Sequence, residues 1–316
     1  MSPSMVLFHY GPFQSLWQQP GLIQCGPRLE PGPTALPVAA PTVEAIQVAL
    51  RSRGGPTRGV LIHYTDPFLI RAAPLRGLSH WRGPRLLVCG DLHHGPAPVD
   101  TLVAYQAQEA HDAVALAFNP MLLPEVQRRL SVPVHCNPPG FFRYPSHPRH
   151  PAPARRLVHV GSLGPHHPQR RHVVEALLQR GRIPFEHVST ATPEQAARVY
   201  AANALVLNVP LNHDFNHRFY EAAAAGAPQV VFASPALMGP LMPLAQGRPD
   251  WFWTQRLHDL EDLVLRLLED PALPQLPVAP PPQPDLVDWL KCCLGPLPSH
   301  RLGSQAGRVD ARWTVA

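Results

Sequence analysis

The run NHRFYEAAAAG, Asn216 to Gly226, sets a guanidinium, a phenol and a carboxylate in one alanine-rich stretch that a glycine ends. Arg218 and Glu221 are three positions apart, so on a helix starting near Asp214 or Phe215 they share a face within the first two turns. A guanidinium there suits an anionic group, and a carboxylate near a helix start suits the two hydroxyls of a ribose. Tyr220 and the alanines would form the packed side. A surface ion pair, worth a few tenths of a kcal/mol, explains the same spacing, so the pattern alone leaves both readings open.

A second constellation is LVHVGSLGPHHPQRRHVVEALLQRG, Leu157 to Gly181. Gly161 and Ser162 end an apolar strand, Gly164 keeps the turn compact, and a helix from about Gln169 would aim free N–H groups and its positive dipole end at the loop. A diphosphate fits there, with Arg170 or Arg171 adding forked donors. An ordinary loop with solvated arginines fits the same residues. A third group, Asp91, His93 and His94, follows the apolar run RLLVCG and so belongs at the carboxyl end of a parallel strand, where open α/β sheets bind ligands. His93 could hydrogen-bond a hydroxyl or a leaving phosphate, or the histidines could simply cap a loop. A rival lies in HDFNH, where His213 and His217 stand four apart with an acid between them, like the H-E-x-x-H of zinc hydrolases, and Glu221 one turn on. Against that rival, aspartate is one methylene shorter than the usual base, and His213 falls before the helix.

These groups need elements to hold them. Short aliphatic runs alternate with amphipathic stretches, which predicts βαβ units and parallel sheets. In the first half strands are predicted at Met5 to Tyr10, Gly59 to Tyr64, Arg85 to Cys89, Ala113 to Phe118 and Pro133 to Cys136, with helices near Val43 to Arg53, Val99 to Ala110 and Met121 to Leu130. Residues 11 to 42 carry too much glycine and proline to assign. A basic, proline-rich linker, Arg143 to Arg156, precedes a second series. Its strands are Leu157 to Gly161, Pro184 to Val188, Ala204 to Val209, Gln229 to Phe232 and Trp251 to Trp253; its helices are Gln169 to Arg180, Pro193 to Ala202, Phe215 to Ala225 and Leu257 to Leu268. The expected organisation is a Rossmann-like domain over 1–150, a second over 151–270, and over 271–316 a proline-rich connector, a short helix at Leu286 to Leu294 and a mobile tail.

Composition narrows the class. In 316 residues there are 42 prolines and only 16% charged residues, against about 25% in an average domain. The formal charge of +5 comes from scattered arginine pairs, not from a basic stripe with interleaved aromatics, so anionic small molecules are expected rather than nucleic acid. Five cysteines without CxxC spacing point away from a disulfide framework or zinc ribbon and toward a reducing cytoplasm. The uncharged stretch Ala222 to Gly247 is broken by four prolines, so no transmembrane segment is expected.

NHRFYEAAAAGAPQVVF resembles the pattern N-x-R-x-[FY]-E-x-x-A-x-G, followed by a strand, of CgeB-like glycosyltransferases, relatives of the group-one (family-four) enzymes; Asn216, Arg218, Tyr220, Glu221, Ala224 and Gly226 match. VHVGSLGPHHPQR is similar to the family's V-G-S/N … R loop, Asn208 in LVLNVP to its strand-ending asparagine, and LLVCGDLHHG, more loosely, to its D-x-H strand end. The resemblance covers about Gly59 to Pro271. It implies a GT-B-like fold, two doubly wound Rossmann-like domains facing a cleft. It also implies a metal-independent, retaining, hexosyltransferase-like enzyme moving a sugar from a nucleotide-diphosphate sugar to a glycan, lipid or protein acceptor, with no separate cofactor. Glu221 would bind the ribose, Arg170 with Gly161 and Ser162 the diphosphate, and Arg218 the same anionic region. Asn208 and Tyr220 would complete the donor site, and Asp91 and His93 the catalytic side. Two departures stand out: a proline-rich connector replaces the family's closing segment, and Asp214 stands where related enzymes have a second glutamate seven residues before the ribose-binding one. A GT-B-shaped binding protein without turnover is the alternative from another class.

Overall fold

The computed structural model describes residues 5–55, 57–93, 95–136, 140–165, 167–211, 214–234, 248–278 and 285–295. The first domain is built on seven parallel strands: β1 (Met5–Phe8), β2 (Leu22–Gly26), β3 (Ala35–Pro37), β4 (Val60–Thr65), β5 (Arg85–Cys89), β6 (Ala113–Leu116) and β7 (Val134–Cys136). They lie in the order β3-β2-β1-β4-β5-β6-β7. β1, β4, β5 and β6 read as near-continuous apolar runs because helices cover both sheet faces. One face packs α1 (Val43–Ser52), which begins where Thr42 Oγ1 accepts the Ala45 N–H. Across the edge β5 to β7, α3 (Pro98–Gln108) and α4 (Leu123–Arg129) close the sheet; α2 (Pro67–Ala72) follows β4. The stretch 11–42 holds β2 and β3, strands too short and too closely bounded by glycine and proline to show a period of their own.

The second domain has five parallel strands, β8 (Ala154–Val160), β9 (Phe185–Val188), β10 (Asn203–Asn208), β11 (Gln229–Phe232) and β12 (Trp251–Thr254), in the order β12-β11-β10-β8-β9. On one face lie α5 (Pro168–Arg180) and α8 (Leu257–Glu269), whose leucines and valines pack on β8, β10 and β11. On the other lie α6 (Pro193–Ala202) and α7 (His217–Ala224). In both sheets the chain reverses its direction of growth once, at β1/β4 and at β8/β10, and each reversal opens a crevice at the carboxyl ends of those strands.

The last described helix, α9 (Leu286–Leu294), returns to the first domain. Leu286, Trp289, Leu290 and Cys293 join Met5, Leu7, Val60 and Ile62 in one core. The expected short helix is thus an integral layer of the first domain, a placement that no local pattern could signal because its core partners belong to segments far upstream, Met5 and Val60 among them. The expected mobile tail, 296–316, lies outside the described residues. No described helix is long and apolar enough to cross a membrane.

The domains are joined on the linker side. Phe215 N–H donates to Phe118 O at 2.7 Å, Tyr144 Oη meets His217 Nδ1 at 2.8 Å, and Tyr144 stacks on Tyr220. The His217 ring sits between Phe118 and Phe142, with centroids at 4.5 and 4.6 Å. Across the mouth, Ser15 Oγ donates to Glu194 Oε1 at 3.0 Å.

Because α9 completes the first domain's core, Leu290→Ala is expected to cost about 2–5 kcal/mol, the range for a buried leucine. Native-state hydrogen exchange should quicken in β1 and β4 and stay unchanged in β8 and β10; equal acceleration in both sheets would contradict the docking.

Candidate functional site

The local structure that carries Glu221 starts from two alanine-rich helices. Ala196, Ala197 and Ala201 of α6 and Ala222 of α7 are buried together with Ala225, and their small size lets the helices approach closely. That approach brings Tyr200 Oη to 3.1 Å from Glu221 Oε2, to which it donates. The start of α7 is fixed by a chain of amides. Asn216 Oδ1 accepts the Arg218 N–H at 3.0 Å, Asn216 Nδ2 donates to Asn208 Oδ1 at 3.1 Å, and Asn208 Nδ2 donates to Gln229 Oε1 at 3.3 Å. Gln229 Nε2 in turn donates to Phe219 O at 3.0 Å. Gly226, with φ of 66°, ends the helix in the left-handed region.

Between the domains lies a cavity of about 430 Å³, within the usual size range of small-molecule sites. Glu221, Arg218, Arg170 and Asp214 line it from the second domain, Asp91 and His93 from the first. Arg218 is 7% exposed and donates through Nη2 to Val160 O. Gly161 makes room for it: with φ of 131°, a Cβ there would stand 2.7 Å from that nitrogen. Arg170, 9% exposed, reaches Val209 O at 3.5 Å. The Nε of each guanidinium is buried without a partner among the described residues, so an incoming anion would meet guanidiniums that are not fully satisfied.

Burial shapes the charges. Burial first, and Arg218 second, lower the Arg170 pKa to about 10. Burial raises the Glu221 carboxyl above its ordinary range, while Arg218 and the Tyr200 hydrogen bond pull it down. Asp214 is pushed up to about 7, by burial first and the facing charge of Asp91 second, with Arg170 opposing. His217 is lowered to about 4 by burial and Arg218, so it is neutral at neutral pH.

The expected residues sort as follows. Glu221, Arg218, Arg170, Gly161, Asp91 and His93 line one cavity. Asp91 N–H donates to Asp66 Oδ1 at 2.7 Å, and His93 Nδ1 lies 3.4 Å from Asn119 Nδ2. Asn208 does not reach the cavity: it is fully buried in the amide chain above and acts as a positioning residue. Tyr220 points the other way, into an aromatic cluster with Phe215, Phe219 and Trp251. Ser162 turns back on its own loop, Oγ accepting the Gly164 N–H at 3.0 Å, and Gly161 N–H donates to Val188 O. Two of the amides expected to face a diphosphate are therefore already engaged. Arg171 braces the loop through Leu163 O at 2.6 and 2.9 Å and leaves the anion role to Arg170. His94 and His213 lie outside the described residues, and among the described residues no group of three metal-ligating side chains gathers.

Sequence reasoning passed over Tyr200 and the Thr190 to Pro193 loop, which also line the cavity. Tyr200 carried a faint signal, a lone phenol on an alanine-rich helix face one helix before Glu221.

Residues 148–275 match a family model described as glycosyl transferase-like. Among solved structures the chain is similar to sucrose-phosphate synthase from Thermosynechococcus elongatus, at 14% identity over 92% of this chain and 95% of that one, with a TM-score of 0.52. Weaker likenesses are to UDP-forming α,α-trehalose-phosphate synthase from Burkholderia xenovorans (12% identity, 79% and 76% covered, TM-score 0.48) and to TarM (12%, 68% and 49%, TM-score 0.46). The chain spans about half the length of TarM. No curated protein matches the chain. The fold is GT-B-like, two parallel-sheet α/β domains facing a cleft, and the family match over the second domain together with this fold supports a glycosyltransferase.

Asp214 gives a test of the site's electrostatics. With a folded pKa of about 7 against an ordinary value near 4, the folded chain keeps a proton across that interval that the unfolded chain has released. Its contribution to stability therefore falls as pH rises from about 4 to about 7 and is level above. Asp214→Asn should gain melting temperature relative to the parent progressively through that window. A difference that does not vary with pH would refute the buried, charge-opposed carboxyl.

Proposed function

We propose that the chain transfers a sugar from a nucleoside-diphosphate sugar to an acceptor hydroxyl in the interdomain cleft, as a metal-independent, retaining enzyme of the CgeB-like group. One observation carries this proposal: a carboxylate anchored by Tyr200 and two buried guanidiniums share the wall at the second sheet's crevice. Glu221 suits a ribose, since a carboxylate accepts from two neighbouring hydroxyls at once. Arg170 and Arg218 suit a diphosphate. When the bond from the anomeric carbon to the diphosphate breaks, negative charge grows on the departing oxygen, and fixed cations in a partly dry cleft stabilise that charge far more than they would in water. The start of α5, where His167 and Arg170 enter the wall, adds its dipole. Asp91 and His93 face the sugar side from the first domain. Retention and metal independence rest on the family resemblance. A reducing compartment, here the cytoplasm, suits five free cysteines, of which Cys25 has its thiol pushed up to about 12 by burial.

Calorimetric titration of UDP, GDP and ADP, and of their glucose adducts, tests the donor site. One nucleotide series should bind, and Glu221→Ala should weaken it by about tenfold or more, the loss of a charge-assisted hydrogen bond. Unchanged affinity in that variant would remove Glu221 from the site. Release of free nucleotide by the parent distinguishes an enzyme from a binding protein: tight donor binding with no release would favour the latter. Zinc in the purified protein, lost on His217→Ala, would favour a hydrolase.

A further inference from the structure

The first sheet has its own switch point, at β1/β4, and a second cavity of about 410 Å³ opens there. The loops after β1 and β4 form it, and it shares Tyr64 and His217 with the donor-side cavity, so the two adjoin. Its walls are mostly rings: Tyr10, Trp17, Tyr64, Phe68 and Phe142. Among the described residues its formal charges are one cation, Arg28, and one carboxylate, Asp66. That balance contrasts with the guanidinium-rich donor side and favours a neutral occupant.

Two buried polar atoms in this wall, His9 Nδ1 and Trp17 Nε1, lack partners among the described residues. The His9 tautomer follows from its neighbours. Gln24 Oε1 accepts the Gln14 N–H at 3.2 Å, while Gln24 Nε2 donates to Gln14 O at 2.9 Å, so the amide orientation is set. His9 Nε2, 3.2 Å from Gln24 Oε1, must then carry the proton. Burial lowers the His9 pKa to about 4, so the ring is neutral and Nδ1 presents a lone pair. Trp17 Nε1–H can only donate. The two rings pack at 4.7 Å, and both line the cavity. An unpaired donor beside an unpaired acceptor complements a hydroxyl, which does both. It does not complement a carboxylate or phosphate, which offers no proton to Nδ1.

We propose that this cavity receives the acceptor and that the acceptor is an uncharged saccharide residue, its ring against the aromatic faces and one hydroxyl between Trp17 Nε1 and His9 Nδ1. The inference rests on the transferase reading of the adjoining site. In the transfer, a hydroxyl near the Tyr64–His217 wall forms the new bond to the anomeric carbon. The bond from that carbon to the diphosphate breaks with its electron pair going to the phosphate oxygen, which takes up the hydroxyl proton. A saccharide suits the cavity better than a phenol, because the polar side chains of Gln14 and Arg28 also line it and a saccharide offers several hydroxyls to them.

The test follows the six indole N–H resonances of the 15N-labelled chain, with Trp17→Phe identifying one of them. Methyl α-glucopyranoside and maltose are titrated into the millimolar range, beside phenol and glucose 6-phosphate. The neutral sugars should move the Trp17 resonance most. Gly11 supplies the control: it lines the cavity, its backbone lies outside the left-handed region, and a Cβ there would meet His9 Nδ1 at an ordinary 3.7 Å. Gly11→Leu should therefore fold, keep its nucleotide affinity, and lose sugar binding by about tenfold or more. The proposal is overturned if neither sugar moves the Trp17 resonance, if Gly11→Leu responds like the parent, or if only phenol or the phosphorylated sugar is bound. Failure of the parent to bind any nucleotide would instead sink the donor reading, and it is measured separately by calorimetry.

Discussion

Two arginine side chains buried in one cleft wall set the terms for the rest of this molecule. A guanidinium taken out of water is tolerated only if oxygens replace its hydration, and here those oxygens come from four different segments. Val160 O and Val209 O are the carboxyl ends of the central strand region, while Asp214 and Asp91 approach from the loop before α7 and from the opposite domain. Strand register, helix start and domain juxtaposition are thus all tied to the same pair of charges. The guanidiniums are incompletely satisfied in return, and an anion entering the cleft meets groups already held in place rather than flexible side chains that it must order.

The carboxylate of Glu221 is placed by a different physical means, the absence of side-chain bulk. Alanine after alanine in α6 and α7 brings the helices close enough for Tyr200 to span the gap. A larger residue at Ala197 or Ala222 would push the helices apart and separate phenol from carboxylate without touching either. The alanine run, expected from the sequence to form the packed side of its helix, is therefore part of the site's geometry.

This distinction explains what could be read in advance. Strands and helices were legible because sheets covered on both faces demand continuous apolar runs, and β5, β11, α6 and α9 fall where those runs predict. Arg218 and Glu221 were legible because helical spacing dictates which residues share a face. Helical position also put Tyr220 on the packed side, but the donor-site roles that the motif gave Asn208 and Tyr220 did not follow, since a matched motif position carries no information on which way a side chain points. Asn208 ends a strand with its amide turned into the network beneath α7, and Tyr220 lies on the ring-packed side of that helix. Neither could the sequence disclose that the loop amides at Gly161 and Gly164 are already bonded, or that α9 completes the opposite domain, because both depend on contacts between distant segments.

The cleft's electrostatics also belong to the two domains jointly. Asp91 stands in the first domain, yet it raises the Asp214 carboxyl and supports the Arg170 charge in the second. Any opening that carries Asp91 away weakens both effects: Asp214 becomes more acidic and gives up its proton, and Arg170 loses part of its counter-charge. By linkage the converse holds, so taking up a proton at Asp214 favours the closed arrangement to the same extent. An anion bound between Arg170 and Arg218 draws on the same balance, because it supplies negative charge where Asp91 and Asp214 now compete to do so. If the proposed anion binds there, ligand, proton and domain position share one electrostatic balance, and a change in any of them is felt by the other two.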